Sequence, residues 1–269
     1  MQRRDFLGTV LGGAAGAAAA GPALAEQHDE SGETGQQFYE LRRYRLESDE
    51  DRSMVHAYWR DAAVSAYNRL GVEPVGVFEP VQDSEDAGNV ITVLLPYRSL
   101  QHMMKVRSKL PGDQDFQQAA EEYLHTPMDN PAYDRIESKL MVAFSAHPQL
   151  TVPDLTAQGE DRLFELRTYE SHNEHKARRK VEMFNEAEIA LFNDLGFPPA
   201  VFHGDTVVGD KLPNLTYMLV FEDRQQRDQL WDTFVNSDGW AELSQVERYK
   251  NTVSKVHNWF LRPTTYSQL

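Results

Sequence analysis

Glu40, Arg42 and Tyr44 stand two residues apart in the stretch FYELRRYRL (38–46), and Glu165, Arg167 and Tyr169 repeat that spacing in LFELRTYES (163–171). A carboxylate, a guanidinium and a phenol on one side of an extended segment can do two kinds of work. They can pair with one another and hold two layers of structure in register. Alternatively, the guanidinium can grip an anionic or carbonyl oxygen while the carboxylate or phenol moves a proton. Side chains alternate between the two faces of a strand. Tyr39, Leu41 and Arg43 therefore share the opposite face in the first copy, and Phe164, Leu166 and Thr168 share it in the second. The mostly apolar sets are expected to pack on helices. The Glu–Arg–Tyr sets are then expected to point away from those helices, inward between two facing sheets. With Tyr217 added, these six residues form the candidate ligand-binding set.

His203 offers separate chemistry. An offset of 125 residues makes Phe78 its mate in the first copy, and with Arg167, Tyr169 and Tyr217 it can line a second-half pocket as a base or a haem ligand. The competing expectation is a histidine at the barrel edge, hydrogen-bonded to a neighbour. His172 and His175 are only three apart in HNEH, not at the spacing of a helical HExxH site, so a solvated loop is expected and no metal site. His56, His102, His147 and His257 show no mutual spacing and read as surface or local contacts. Lys176 to Lys180 (KARRK) reads as a solvated face, Trp231, Phe234 and Trp240 as core, and Tyr58 and Trp59 as core or dimer surface. No nucleophile elbow, P-loop or dinucleotide fingerprint is present, and the chain has no cysteine.

The elements that must position these groups follow from the repeat. Leu41 maps to Leu166, Asn68 to Asn193, Leu70-Gly71 to Leu195-Gly196, and Asn89 to Asn214. Ser138-Lys139 then matches Ser254-Lys255, which implies nine extra residues in the first copy, placed in YLHTPMDNPAY (123–133). Each copy reads as strand, amphipathic helix closed by glycine, two strands, a second helical region and a last strand. That order is β-α-β-β-α-β, a ferredoxin-like unit. The expected fold is α+β: two tandem ferredoxin-like halves, at 37–148 and 160–269, joined by a linker at 149–159. Their bare sheet faces would cover each other in an α+β barrel within one chain.

Residues 1–25 carry a twin arginine (Arg3-Arg4), a Gly/Ala-rich apolar stretch and an Ala23-Leu24-Ala25 cleavage pattern. They resemble a bacterial twin-arginine (Tat) signal peptide, so the Tat translocase is the expected partner in export and the periplasm or extracellular space the expected location. Residues 26–36 read as a disordered tail, with no stable membrane anchor left after cleavage. A formal charge of −15 over 269 residues argues against nucleic acid as a partner. A homo-oligomer stays open.

YELRRY, FELRTY, the segment LPNLTYMLVFEDRQQRDQLWDTF (212–234), Trp240 and the closing RPTTYSQL (262–269) resemble the NIPSNAP family across both halves, most clearly in the second. The resemblance implies a dimeric α+β barrel and no settled reaction. The wider superfamily includes cofactor-free monooxygenases and haem-binding enzymes, so by analogy haem is admitted as a cofactor. Three readings stand: a binder of a small hydrophobic or anionic ligand, an enzyme of monooxygenase or haem type, and a structural or interaction protein.

Overall fold

A computed structural model describes residues 35–81, 84, 89–159 and 161–269. The signal peptide read at 1–25 and most of the tail read at 26–36 lie outside the described residues. The first half comprises β1 (Phe38–Arg45), α1 (Asp49–Ala57), a π-helical segment (Tyr58–Ala63), α2 (Val64–Arg69), β2 (Gly76–Pro80) and β3 (Val90–Tyr97). It continues through α3 (Leu100–Lys109), α4 (Gln114–Ala119) and α5 (Glu121–Leu124) to β4 (Arg135–Ala143). A short α6 (Asp154–Gln158) precedes the second half: β5 (Leu163–Glu170), α7 (Glu174–Met183), a π-helical segment (Phe184–Glu188) and α8 (Ile189–Asp194). Then follow β6 (Phe202–Val208), β7 (Asn214–Phe221), α9 (Arg224–Val235), α10 (Asp238–Gln245) and β8 (Lys255–Pro263). No described helix is long and apolar enough to cross a membrane.

Equivalent residues start and stop the helices. Ser48 caps α1 by accepting from the Asp51 amide, and Asn173 caps α7 by accepting from the Lys176 amide. Gly71 and Gly196 end the paired helices at φ of 77° and 81°, a conformation that costs glycine little. The strands close into a barrel in the order β1-β3-β2-β8-β5-β7-β6-β4. Each half supplies the four-strand order of a ferredoxin-like sheet. The halves join edge to edge, β2 with β8 and β4 with β6, all pairs antiparallel.

The alternation along β1 and β5 is as the sequence implies, but the faces are reversed. Tyr39, Leu41, Phe164 and Leu166 turn into the closed barrel, where they pack with Phe78, Phe202 and Met218. Glu40, Arg42 and Tyr44, like Glu165, Arg167 and Tyr169, lie between sheet and helices. The physical reason is width and supply. An eight-stranded barrel is just wide enough to be filled by its own side chains, whereas a helix layer can deliver partners to a buried charge.

The repeat register also needs correction. Arg167 stands opposite Tyr217 as Arg42 stands opposite Val93, and Tyr217 stands opposite His203 as Val93 stands opposite Val77. The structural mate of His203 is therefore Val77, not Phe78. Lys139 faces Leu41 and Trp259 faces Leu166, so the first copy gains five residues before its last strand rather than nine.

Candidate functional site between sheet and helices

Glu165 is fully buried under α9 and receives four donors. Arg167 Nη1 lies at 2.8 Å, Arg227 Nη2 at 2.5 Å, Trp231 Nε1 at 2.7 Å and Asn258 Nδ2 at 2.8 Å. Burial alone would raise this carboxyl, but the Arg227 hydrogen bond and the charges of Arg167 and Arg227 outweigh it and hold the group below the usual carboxylate range. Arg227 and Trp231 are four apart on α9, so both point down at the sheet.

Because Glu165 is shared, Arg167 is not fully spent on it. Its Nε donates to the Tyr169 hydroxyl at 3.2 Å, and its guanidinium lies 4.3 Å from the centre of the Trp231 ring. Among the described residues its Nη2 has no partner. The Tyr169 hydroxyl meets that of Tyr217 at 2.7 Å, and the Tyr217 ring stacks on His203 at 5.5 Å. The sequence-predicted group of His203, Tyr217, Tyr169 and Arg167 is thus brought together as one chain. His203, however, sits behind Tyr217 among Phe144 and Phe184, its Nδ1 2.9 Å from His147 Nδ1 and its Nε2 buried without a partner. Burial, and then the nearby His147, keep it neutral well below the ordinary imidazole range.

A cavity of ≈ 640 Å³ opens over Arg167 and Tyr169. Trp231 and Phe234 from α9 and Trp240 from α10 supply its aromatic walls, and residues 249–253 border it. Lys180 and Glu188 form its far side, joined by an ion pair at 2.5 Å with both side chains almost wholly buried. In a regular α-helix, eight residues overshoot two turns by about 80°. The wider π turn between the two residues takes up much of that overshoot, so they face the same way. The Lys176–Lys180 segment is therefore not a solvated face throughout. His172 and His175, by contrast, are exposed beside the Asn173 cap.

The NIPSNAP family model matches residues 39–148 and again 164–268. The chain belongs to the NIPSNAP family. Solved structures similar to it include a Fusobacterium nucleatum protein provisionally described as a monooxygenase (9% identity, TM-score 0.54, 85% of this chain and 92% of that one). A Lactobacillus acidophilus protein with the same provisional description is 9% identical, with a TM-score of 0.53 over 85% and 94% of the two chains. An anthrone oxidase-like protein is 12% identical, with a TM-score of 0.50 over 85% and 92%. At these identities the likeness is one of fold. No protein with a curated description matches the sequence.

The first half of this NIPSNAP protein is built differently at the same place. Arg42 chelates Glu40 with two bonds, Nε to Oε1 at 2.7 Å and Nη2 to Oε2 at 2.9 Å. Tyr97 and Ser138 complete the carboxylate's set. Tyr44 is sealed from solvent by Trp59 and Tyr133, and Tyr123 stacks on Tyr58 at 3.9 Å. Haem held through His203 does not fit the second half, because no histidine lines the cavity. The residues that the sequence reading missed as site components are Lys180, Glu188, Arg227 and the two cavity tryptophans. One signal was present: Glu188 falls on the apolar stripe of its helix, where a carboxylate must have a partner.

Proposed function

We propose that this protein binds a small, largely apolar, planar molecule bearing an anionic or carbonyl oxygen in the second-half cavity. The observation that carries this reading is the unpartnered Nη2 of Arg167 at the base of an aromatic-walled cavity. Binding is favoured over proton abstraction by the state of the neighbouring groups: Glu165 is saturated with donors, Glu188 is paired with Lys180, and His203 does not reach the cavity. A naphthalene sulfonate probe is the test, with quenching of Trp231 and Trp240 fluorescence as the readout. Loss of one charge-assisted hydrogen bond in Arg167→Met is expected to weaken binding about ten- to a hundredfold. Arg42→Met is expected to leave it unchanged. Equal affinity in the two variants, or no uptake of the probe, overturns the reading and favours a protein without a ligand.

A cofactor-free oxygenase is the second reading. The Arg167–Tyr169–Tyr217 chain supports it, since it can carry a proton away from a bound phenol, and so do the descriptions given to the similar structures. Oxygen uptake with an anthrone and its loss in Tyr169→Phe distinguish it from binding alone. The twin-arginine leader supports export by the Tat route. Retention of the full chain in the cytoplasm when Arg3 and Arg4 are both changed to lysine is the expected outcome, read by cell fractionation.

A further inference from the structure

One end of the barrel interior is polar and lies on the side of the sheet away from the cavity. Lys139 of β4 reaches across the barrel to the Thr168 hydroxyl at 3.5 Å and the Thr216 hydroxyl at 3.4 Å. Those hydroxyls bond each other at 2.8 Å, and both threonines are wholly buried. Lys139 itself is only 8% exposed, and its hydrogen-bond partners are hydroxyls rather than a carboxylate. A recess of ≈ 20 Å³ opens on it between Leu41, Leu166 and Trp259. Arg43 and Lys211 stand at this recess with their charges 5.0 Å and 5.6 Å from the centre of the Trp259 ring. Two carboxylates also border it: Glu137, held by Arg45 at 2.8 Å and paired with Arg43 at 3.9 Å, and Asp210.

We propose that Lys139 is a nucleophilic amine that condenses with a short carbonyl compound carrying a carboxylate, taken up at this end of the barrel. An amine acts as a nucleophile only when unprotonated, and desolvation together with nearby cations is how proteins obtain one near neutral pH. Burial pushes the Lys139 ammonium down first. Asp210 and, less strongly, Glu170 oppose that, Lys211 and Arg43 add to it, and the result is about 8. The recess is about the size of one water, so it admits a single carbonyl group and excludes a bulky one. Arg43 and Lys211 then meet the carboxylate of a molecule such as glyoxylate. The amine nitrogen attacks the carbonyl carbon, and a proton moves from nitrogen to the oxygen to give a carbinolamine. Loss of water leaves an imine, with no change of oxidation state. The adjacent Thr168 and Thr216 hydroxyls orient the amine for the attack.

The test uses the whole protein, glyoxylate and cyanoborohydride, which delivers hydride to the imine carbon and fixes a carboxymethyl group on nitrogen. Peptide mapping is expected to show Lys139 modified several-fold faster than the exposed Lys105, Lys109 and Lys255, with a rate that rises with pH to a midpoint near 8. Lys139→Arg should lose that adduct. Lys211→Asn tests the electrostatics at an exposed position, and asparagine tolerates the positive φ found there. It should raise the midpoint and slow the reaction at pH 8 several-fold. Adducts confined to exposed lysines, or a Lys139 midpoint like that of a free lysine, overturn the proposal.

Discussion

The two halves of the barrel share a fold, a strand motif and even a π-helical turn at the same place, yet one is filled and the other is open. Counting from the equivalent caps Ser48 and Asn173, Val55 stands where Lys180 does, Trp59 where Phe184 does, and Ala63 where Glu188 does. Counting from Asp113 and Ser237, Phe116 corresponds to Trp240. In the first half, Tyr123 and Tyr133 come from the longer segment before β4 and lie over Tyr58 and Tyr44. In the second half the smaller Val253 stands where Tyr133 does and only borders the cavity, and a buried ion pair replaces the small apolar residues. The same Glu–Arg–Tyr motif is thus a closed lock in one copy and the base of a cavity in the other. What differs is the helix layer above the strand, not the strand.

The largest expected effect tests the lock. Glu165→Ala strips Arg167 of its carboxylate and leaves Arg227 only the exposed Asp228, and should cost about 3–5 kcal/mol in urea unfolding. Glu40→Ala leaves only Arg42 without its ion-pair partner and should cost less. Equal costs would mean that Arg227 contributes nothing to the difference between the halves. Next comes the ion pair. Lys180→Val alone leaves Glu188 buried and bare, at a cost of about 3 kcal/mol. Lys180→Val with Glu188→Ala copies the first half and should recover most of that loss, a coupling that a double-mutant cycle reads directly. A smaller effect tests the plug. Tyr123 is half-buried, so Tyr123→Ala should cost roughly 2 kcal/mol. With Tyr133→Ala added, the protein should take up a second equivalent of the naphthalene probe, which the parent does not.

Much of this architecture is legible in the sequence, because it rests on local rules. The doubled FELR-type strand, the glycines at 71 and 196 and the β-α-β-β-α-β order fix two ferredoxin-like halves, and the period of two fixes which residues share a face. Which face looks inward is not local. Glu, Arg and Tyr read as polar and so as belonging to a bare sheet, but the groups that satisfy Glu165 sit more than sixty residues away on α9 and more than ninety away on β8. The offset of 125 also becomes 126 at β2 and β6 and 124 at β3 and β7, enough to give His203 the wrong mate. Lys180 looked solvated because its partner lies eight residues on, reached only through a π turn that no simple helical period anticipates.

The smallest effect isolates His203, which has a valine in its place in the first half. Its imidazole is neutral in the folded protein because burial, and after it His147, depress its affinity for protons. In the unfolded chain it titrates near the usual value of about 6.5. The unfolded state therefore binds more protons below that pH, and stability is lost as pH falls through it, by at most about 1.4 kcal/mol per pH unit. Above that range the two states are alike and the slope vanishes. His147, whose own affinity burial lowers, adds a term of the same sign. Glu40 and Glu165 act in a lower window, because their depressed folded values cause loss only as pH drops below the ordinary carboxylate range. His203→Phe keeps a ring against Tyr217 and removes the proton site. Urea unfolding between about pH 5 and 7 should then show a shallower slope than the parent, while a Val77→Ile change in the first half should leave the slope untouched. If His203→Phe leaves the slope as steep as before, the imidazole is not the buried neutral group that sets this part of the second half apart.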